Sequence, residues 1–194
     1  MLEELILSLQ DKFRSSDYID NEQGLDKLQS LLQTQTSDKQ KKLIISLLPL
    51  MLSNKSENIQ KRAVQIVFNY PTILKDVLPT IVLAPDPIIK FWSYFMMMEL
   101  GMLSTDEMID IVNGKESDEI RKCALEILSR KPEKRIIVLL LDKICDPSWI
   151  ISKQAKKTLI ELGDSVYQII QEYFQSCGSS QKYECIKLIP LILR

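Results

Sequence analysis

The chain has 194 residues, and 25 Lys and Arg nearly balance 26 Asp and Glu, which excludes nucleic-acid binding driven by overall charge. It contains no histidine, which excludes Ser-His and Cys-His nucleophile pairs and histidine metal sites, and its five glycines form no phosphate-cradling loop. We therefore expect a protein that is not an enzyme and that has no cofactor and no metal.

The expected compartment is the cytoplasm. Four cysteines with no CxxC spacing are typical of buried, reduced thiols. The first residues are acidic, unlike the basic start of a secretory signal. No apolar run approaches the roughly 20 residues that cross a bilayer, so no membrane partner is expected.

Residues 1–56 are predicted to be helical but to lie outside the repeat register of the following chain. The predicted helices are 2–14, 22–33 and 37–52. The end of a repeat stack needs an atypical segment to cover its apolar face. We interpret 1–56 as an irregular N-terminal cap that forms one continuous solenoid with the repeats of 57–194.

From residue 57, a branched apolar residue followed four positions later by a small one returns every 30 or 31 residues. The pairs are Ile59/Ala63, Ile89/Ser93, Ile120/Ala124 and Ile151/Ala155. A fixed period of this length indicates stacked copies of one helical unit. Ile186 lies 31 residues after Ala155, which predicts that the period continues to the end of the chain.

Capping and proline signals, among them Asp86-Pro87 and the Ser104–Glu107 capping box, divide each repeat into an A helix and a B helix. The predicted pairs are 56–69 with 72–83, 86–100 with 104–113, 117–130 with 133–145, and 148–162 with 164–176. A final A-like helix, 179–193, has no B helix after it. Its uncovered apolar side has three interpretations: the helix is itself a flat cap, the natural protein continues, or another subunit covers it.

The helix at 86–100 departs most from its sister helices. Phe91 and Phe95 stand where the aligned A helices carry polar residues. With Met98 and the neighbouring Trp92, they predict an apolar stripe that contacts a protein partner or a second copy. The alternative interpretation is that the N-terminal cap covers this helix, because helices that are apolar on all sides are usually buried.

The A helices carry net positive charge and the B helices net negative charge. One explanation is structural, because the acidic residues that cap helix ends fall on the B helices. The functional explanation is an acidic groove for a basic partner. The candidate acids in this groove are Asp106, Asp110, Asp142 and Glu172. Asp106 and Asp110 lie one turn apart, but two carboxylates alone make a weak metal site.

The segments Asp118–Leu128 and Ile151–Asp164 resemble HEAT-like repeats of the armadillo and HEAT superfamily. The matching pattern is an Asp, then Ile-Arg, then Ala three residues after the Arg, and Gly-Asp between helices. The resemblance implies an α-α superhelix of about five to six helical hairpins whose B helices line a concave face. It also implies that Asp118 and Arg121 are structural residues that link neighbouring repeats.

Two features of the helix at 148–162 have a structural and a functional interpretation. Trp149 is favoured as a staple that packs on the preceding helix, with a peptide anchor as the alternative. The lysines Lys153, Lys156 and Lys157 are favoured as solvated surface, with phosphate contact as the alternative.

The favoured function is a non-enzymatic scaffold that binds a protein partner by its concave B-helix face or by the Phe91/Phe95 stripe. One alternative is a nucleic-acid-binding protein that resembles the HEAT-like DNA glycosylases, which the negative B helices disfavour. A second alternative is a chromophore-protein lyase or chaperone of the phycobilin-lyase type. Self-association through Phe91/Phe95 or through the C-terminal helix is a further alternative.

Overall fold

The computed structural model describes residues 2–34 and 37–193. Within these ranges the chain folds into thirteen α-helices and one 3₁₀ turn, without a β-strand. The helices are α1 (Leu2–Arg14), α2 (Tyr18–Gln33), α3 (Asp38–Ile45), α4 (Leu48–Leu52), α5 (Glu57–Val67), α6 (Pro71–Ile81), α7 (Pro87–Glu99), α8 (Thr105–Asn113), α9 (Asp118–Leu128), α10 (Lys134–Lys143), α11 (Trp149–Leu162), α12 (Tyr167–Ser176) and α13 (Ser179–Ile192). No helix in the described part of the chain has the length and apolar character that crossing a bilayer requires.

The chain divides into two compact units, Met1–Leu103 and Ser104–Arg194. We call them unit 1 and unit 2. The boundary between them differs from the predicted boundary after residue 56. That earlier boundary concerned the repeat register, and it stays a prediction.

Unit 1 contains α1 to α7 around one apolar core. In this unit α1 packs on α2 and α4, α2 on α5, α3 on α6, and α7 on α4 and α6. The predicted helix 37–52 is wrong as a single helix, because it ends at Ile45 and α4 begins at Leu48. Pro49 explains the break, since proline has no N–H to donate to the preceding turn and its ring clashes there.

Unit 2 contains α8 to α13 in two layers of helices. α9, α11 and α13 are successive neighbours in one layer, and α10 packs on α12 in the other. The layers are joined by contacts of α8 with α9, α10 with α11, and α12 with α13. This arrangement of paired helices with a common repeat confirms the predicted fold class of an all-α helical repeat.

The small residues of the repeat lie in the core, because only a small side chain lets neighbouring helices approach closely. Ala63, Ser93, Ala124 and Ala155 are all fully buried. Three of the four isoleucines that precede them are also buried, whereas Ile120 is half-buried.

The predicted continuation of the period at Ile186 is wrong by one residue. Ile186 is 57% exposed, whereas its neighbour Cys185 is fully buried. Cys185 follows Ala155 by 30 residues and is the small residue of the last A helix. The period therefore continues on the cysteine, and the isoleucine faces outward.

A second register position has a shared structural role that the sequence does not reveal. The residue after each repeat isoleucine donates to a backbone carbonyl at the end of the preceding helix, or just beyond it, where carbonyls lack intrahelical donors. These bonds are Gln60 to Asn54 (2.5 Å), Lys90 to Val82 (3.2 Å), Arg121 to Val112 (2.9 Å) and Ser152 to Ile144 (2.6 Å). Because four different side chains do this, no residue pattern marks the position.

Arg121 also connects three segments of unit 2. Its guanidinium donates to the carboxylates of Asp118 (3.2 Å) and Asp146 (2.7 Å). Ser148 donates its hydroxyl to Asp118 at 2.6 Å and its backbone N–H to Asp146 at 3.0 Å. Burial opposes ionisation of Asp146, but the Ser148 N–H, Arg121 and Lys143 together hold its pKa below the ordinary value. This geometry is that of a structural link between repeats, as the resemblance implies.

Candidate functional surfaces

The aromatic helix α7 begins at Pro87, after Asp86, whose carboxylate accepts from the N–H groups of Ile88 and Ile89. Trp92 lies in the core of unit 1 with only 4% of its surface exposed. Its indole N–H donates to Gln60 Oε1 at 2.9 Å. Trp92 is therefore out of reach of a partner in this structure, although the sequence placed it among the partner-binding residues.

The other residues of the predicted stripe are half-buried. Phe95 makes edge-to-face contacts with Phe68 (ring centroids 6.4 Å apart) and with Trp92 (5.8 Å). Phe91 contacts Trp92 in the same way at 5.3 Å. Met98 is also half-buried, and the two phenylalanines pack against the core of unit 1.

Part of the predicted N-terminal cap covers this helix, because α4 packs on α7. The aromatic stripe therefore packs largely within unit 1, as the alternative interpretation of a covered helix predicts. A role of Phe91 and Phe95 in binding stays a prediction.

The indole hydrogen bond belongs to a polar network inside unit 1. Gln60 donates to the backbone carbonyl of Asn54. The Asn54 side-chain amide donates to Asn21 Oδ1 at 2.9 Å, and Asn21 donates to two carbonyls before α2. Asn21 and Gln60 are buried, so their hydrogen bonds offset the cost of removing them from water. The network fixes α2, α5 and α7 against one another.

Two of the four candidate acids form ion pairs with α10 inside unit 2. Arg135 lies 3.0 Å from Asp106, and Lys134 lies 2.6 Å from Glu172. The hydrogen bond from Lys134 holds the pKa of the Glu172 carboxyl below its usual value. These pairs reduce the negative charge that α8 and α12 present to a partner.

The other two acids lie in different surroundings. Asp142 accepts a hydrogen bond from the hydroxyl of Tyr173 at 2.7 Å, and burial together with this bond raises the pKa of Tyr173. Asp110 is exposed on α8. The described residues include no cluster of three or more cysteine, aspartate or glutamate side chains able to hold a metal. Because Arg135 and Lys134 of α10 lie beside Asp106 and Glu172, the surface of unit 2 at α8, α10 and α12 carries charges of both signs.

Sequence reasoning missed an apolar groove of about 720 Å³ in unit 1. It lies between α3 and α4 on one side and α6 on the other. Val77 and Ile81 are buried side chains of α6 that line it. Its remaining apolar lining consists of Leu43, Pro49, Leu83 and Ala84.

The rim of this groove carries exposed leucines and charged residues. Leu83 is 76% exposed and Leu43 is 46% exposed, so both present apolar surface to water. Lys42 spans the groove with an ion pair to Asp76 at 3.3 Å, and Lys39 lies beside it. The groove thus combines an apolar floor with a rim of two lysines and one aspartate, and only the packing of α3 against α6 brings these residues together.

A second surface lies on α11 in unit 2, where a groove of about 500 Å³ runs along the helix. Trp149 is 70% exposed, so the predicted packing of Trp149 as a staple on the preceding helix is wrong. Lys153 Nζ lies 4.5 Å from the centroid of the Trp149 ring. Lys156, Lys157 and Ile160 continue the same stripe.

The neighbouring helix α13 extends this surface. Lys156 of α11 forms an ion pair with Glu184 of α13 at 2.7 Å. Tyr183 is exposed, and Lys187 Nζ lies 4.0 Å from the centroid of its ring. Each helix therefore carries an exposed aromatic ring with a lysine over it, a pairing that sequence reasoning did not find.

The four cysteines are in the thiol form. Cys123 and Cys185 are buried, and burial raises the pKa of each thiol to about 11. A thiol with so high a pKa is a poor nucleophile, because the thiolate is the reactive species.

Comparison with known proteins adds little to this description. No family model and no curated protein matches the chain. Among solved structures, an engineered protein is 14% identical, with a TM-score of 0.36, and the match covers 98% of this chain and 96% of that chain. A designed armadillo repeat protein has the same identity and TM-score, with 95% of this chain and 98% of that chain covered. Similarity at this level carries no conclusion about the function of this chain.

Proposed function

We propose that this protein is a non-enzymatic binding scaffold whose unit 1 groove holds an amphipathic helix of a protein partner. The observation that supports this proposal is the groove of about 720 Å³ between α3, α4 and α6. A helix that lays its apolar face into such a groove is a recurrent mode of peptide recognition.

The exposed leucines supply the expected binding energy. Complete burial of a leucine side chain contributes about 1.5–3 kcal/mol relative to its exposed state. Leu83 and Leu43 expose 76% and 46% of their surface, so Leu83 has the larger gain to make on binding. We therefore expect Leu83 to be the principal contact residue.

The rim charges favour acidic residues beside the apolar face of the partner helix. Lys42 is paired with Asp76, and Lys39 is a second lysine of the described lining, so the rim keeps an excess of one positive charge. Charge complementarity raises the association rate and selects against partners of the wrong sign. The basic partner expected from the B-helix acids has less support, because Asp106 and Glu172 already face Arg135 and Lys134.

The test is selection from a displayed library of amphipathic helical peptides, followed by titration of the selected peptides against variants. Leu83→Asp introduces a charge into the groove and is expected to weaken binding at least tenfold. Leu7→Asp is the matched control, because Leu7 is an exposed leucine of α1 outside the groove and its replacement should leave binding unchanged.

Two results would contradict the proposal. One is a set of selected peptides that bind Leu83→Asp as well as the unaltered protein. The other is a preference for helices with basic flanks over helices with acidic flanks. The nucleic-acid-binding and chromophore-lyase alternatives stay untested predictions.

A further inference from the structure

The surface formed by α11 and α13 differs from an ordinary charged helix surface. We call it the α11–α13 face, and it consists of Trp149, Lys153, Lys156, Lys157, Ile160, Tyr183 and Lys187. Large apolar side chains alternate with lysines along it. In the repeat register the position of Trp149 is occupied by Glu57, Pro87 and Asp118 in the copies of α5, α7 and α9. The tryptophan is therefore particular to this copy of the repeat.

The charge of the two helices is positive. α11 and α13 together contain five lysines and two glutamates, Glu161 and Glu184. Lys156 and Lys187 both pair with Glu184, and Lys157 lies 3.6 Å from Glu161 in a pair that is mostly exposed. An exposed pair of this kind is weak and screened by salt, so Lys157 remains able to attract an anionic surface.

We infer that the α11–α13 face binds peripherally to the surface of an anionic lipid bilayer. Tryptophan and tyrosine side chains favour the boundary between headgroups and hydrocarbon, because their rings are apolar and carry one polar group. A lysine beside such a ring can extend its ammonium group to the lipid phosphates while its apolar stem stays against apolar surface. Trp149 and Tyr183 each have a lysine in this position, because the ammonium groups of Lys153 and Lys187 lie over their rings.

The same observations favour lipid over single-stranded nucleic acid. Bases stack on open aromatic faces, but Lys153 and Lys187 each cover one face of the ring on their own helix. The face also exposes aliphatic surface at Ile160, and Ile186 of α13 lies exposed beside it. Aliphatic side chains offer nothing to a base, whereas they gain from contact with acyl chains.

This inference does not depend on the proposed groove in unit 1. It also differs from the sequence-based expectation of no membrane partner, which rested on the length of apolar runs. Peripheral binding needs an amphipathic surface and no spanning segment.

The experiment is vesicle flotation with the full chain. Vesicles of phosphatidylcholine alone are compared with vesicles of equal parts phosphatidylcholine and phosphatidylserine. Each lysine near such a surface contributes about fivefold in affinity, so Lys153→Glu with Lys157→Glu should weaken binding at least roughly 25-fold. Both lysines are exposed, so the fold should tolerate the change, and circular dichroism checks this.

The matched control is Lys55→Glu with Lys115→Glu. It changes the net charge by the same amount at two exposed lysines that lie outside the α11–α13 face. We expect this variant to bind anionic vesicles within about threefold of the unaltered protein, since it loses long-range attraction alone. Equal losses in the two double variants would overturn the inference, because binding would then follow net charge.

Tryptophan emission gives a readout of the contact itself. Trp149 is exposed and Trp92 is buried, so anionic vesicles should shift the emission to the blue through Trp149. Trp149→Phe should abolish this shift. The inference fails if the protein ignores phosphatidylserine vesicles, if the shift persists in Trp149→Phe, or if a single-stranded oligonucleotide displaces the protein from vesicles and binds it more tightly.

Discussion

Replacing Ser93 by alanine should stabilise the protein. Among the described residues, the Ser93 hydroxyl is the buried side-chain polar group that has no hydrogen-bond partner. Ser93 is fully buried, and it occupies the repeat position where α5, α9 and α11 have alanine. The hydroxyl therefore loses its contacts with water on folding and gains none in return.

The magnitude follows from three contributions. A buried polar group without a partner costs about 1–3 kcal/mol. Alanine is a better helix former than serine, which adds a few tenths of a kcal/mol. Removing the oxygen loses several dispersion contacts of about 0.1–0.2 kcal/mol each. Together these predict that Ser93→Ala raises the free energy of unfolding by about 1–2 kcal/mol.

Urea unfolding of a protein that already carries Trp149→Phe measures this effect in unit 1, because Trp92 is then its single tryptophan. The control is Ser152→Ala, since the Ser152 hydroxyl donates to the Ile144 carbonyl at 2.6 Å. Its loss leaves that carbonyl unsatisfied, so we expect a destabilisation of about 1 kcal/mol, measured by circular dichroism. Destabilisation by Ser93→Ala would refute the reasoning, because the hydroxyl must then have a partner.

Three further predictions concern unit 2. Arg121→Met should lower the free energy of unfolding by about 3 kcal/mol, because it leaves the buried Asp146 carboxylate with Lys143 and Ser148 alone. The control is Lys157→Met, which removes an exposed ion pair and should change the free energy of unfolding by less than about 1 kcal/mol. The lowered pKa of Asp146 contributes stability that is present above its unfolded pKa of about 3.9 and is lost as the pH falls through the lower folded value. Acid titration of urea stability should show a smaller loss in Arg121→Met than in the unaltered protein, and an equal loss would contradict a role of the guanidinium. Cys123 and Cys185 have a thiol pKa of about 11, so they should react with iodoacetamide at pH 8 far more slowly in the folded protein than in urea. Mass spectrometry of the alkylated peptides measures the two rates, and equal rates would contradict the burial of these thiols.

Much of the fold could be predicted because its signals are local. Asp86-Pro87 and the Ser104–Glu107 capping box predicted helix starts that the structure has, and the Ser104 side chain accepts from the Glu107 N–H at 3.2 Å. The single predicted helix 37–52 is wrong at Pro49, although proline is itself a local signal for a helix break. The period failed at Ile186 because two adjacent residues, Cys185 and Ile186, both suit a buried position by composition.

The functional surfaces could be predicted much less well. The aromatic residues of α7 suggested a binding surface, but Trp92 proved to be buried and to donate to Gln60, 32 positions away. The acids suggested a negative groove, but Arg135 and Lys134 lie beside Asp106 and Glu172. Charge summed along the sequence cannot show which charges face each other across helices.

The amino-acid sequence by itself determined that this chain forms paired helices in a repeat of about thirty-one residues, because helix periodicity, caps and small residues act over a few positions. Only the tertiary structure decided which surfaces are open. The groove beside Leu83 exists because α3 packs against α6, and the α11–α13 face exists because α11 packs against α13. Exposure depends on what a distant segment covers, and no local pattern records that.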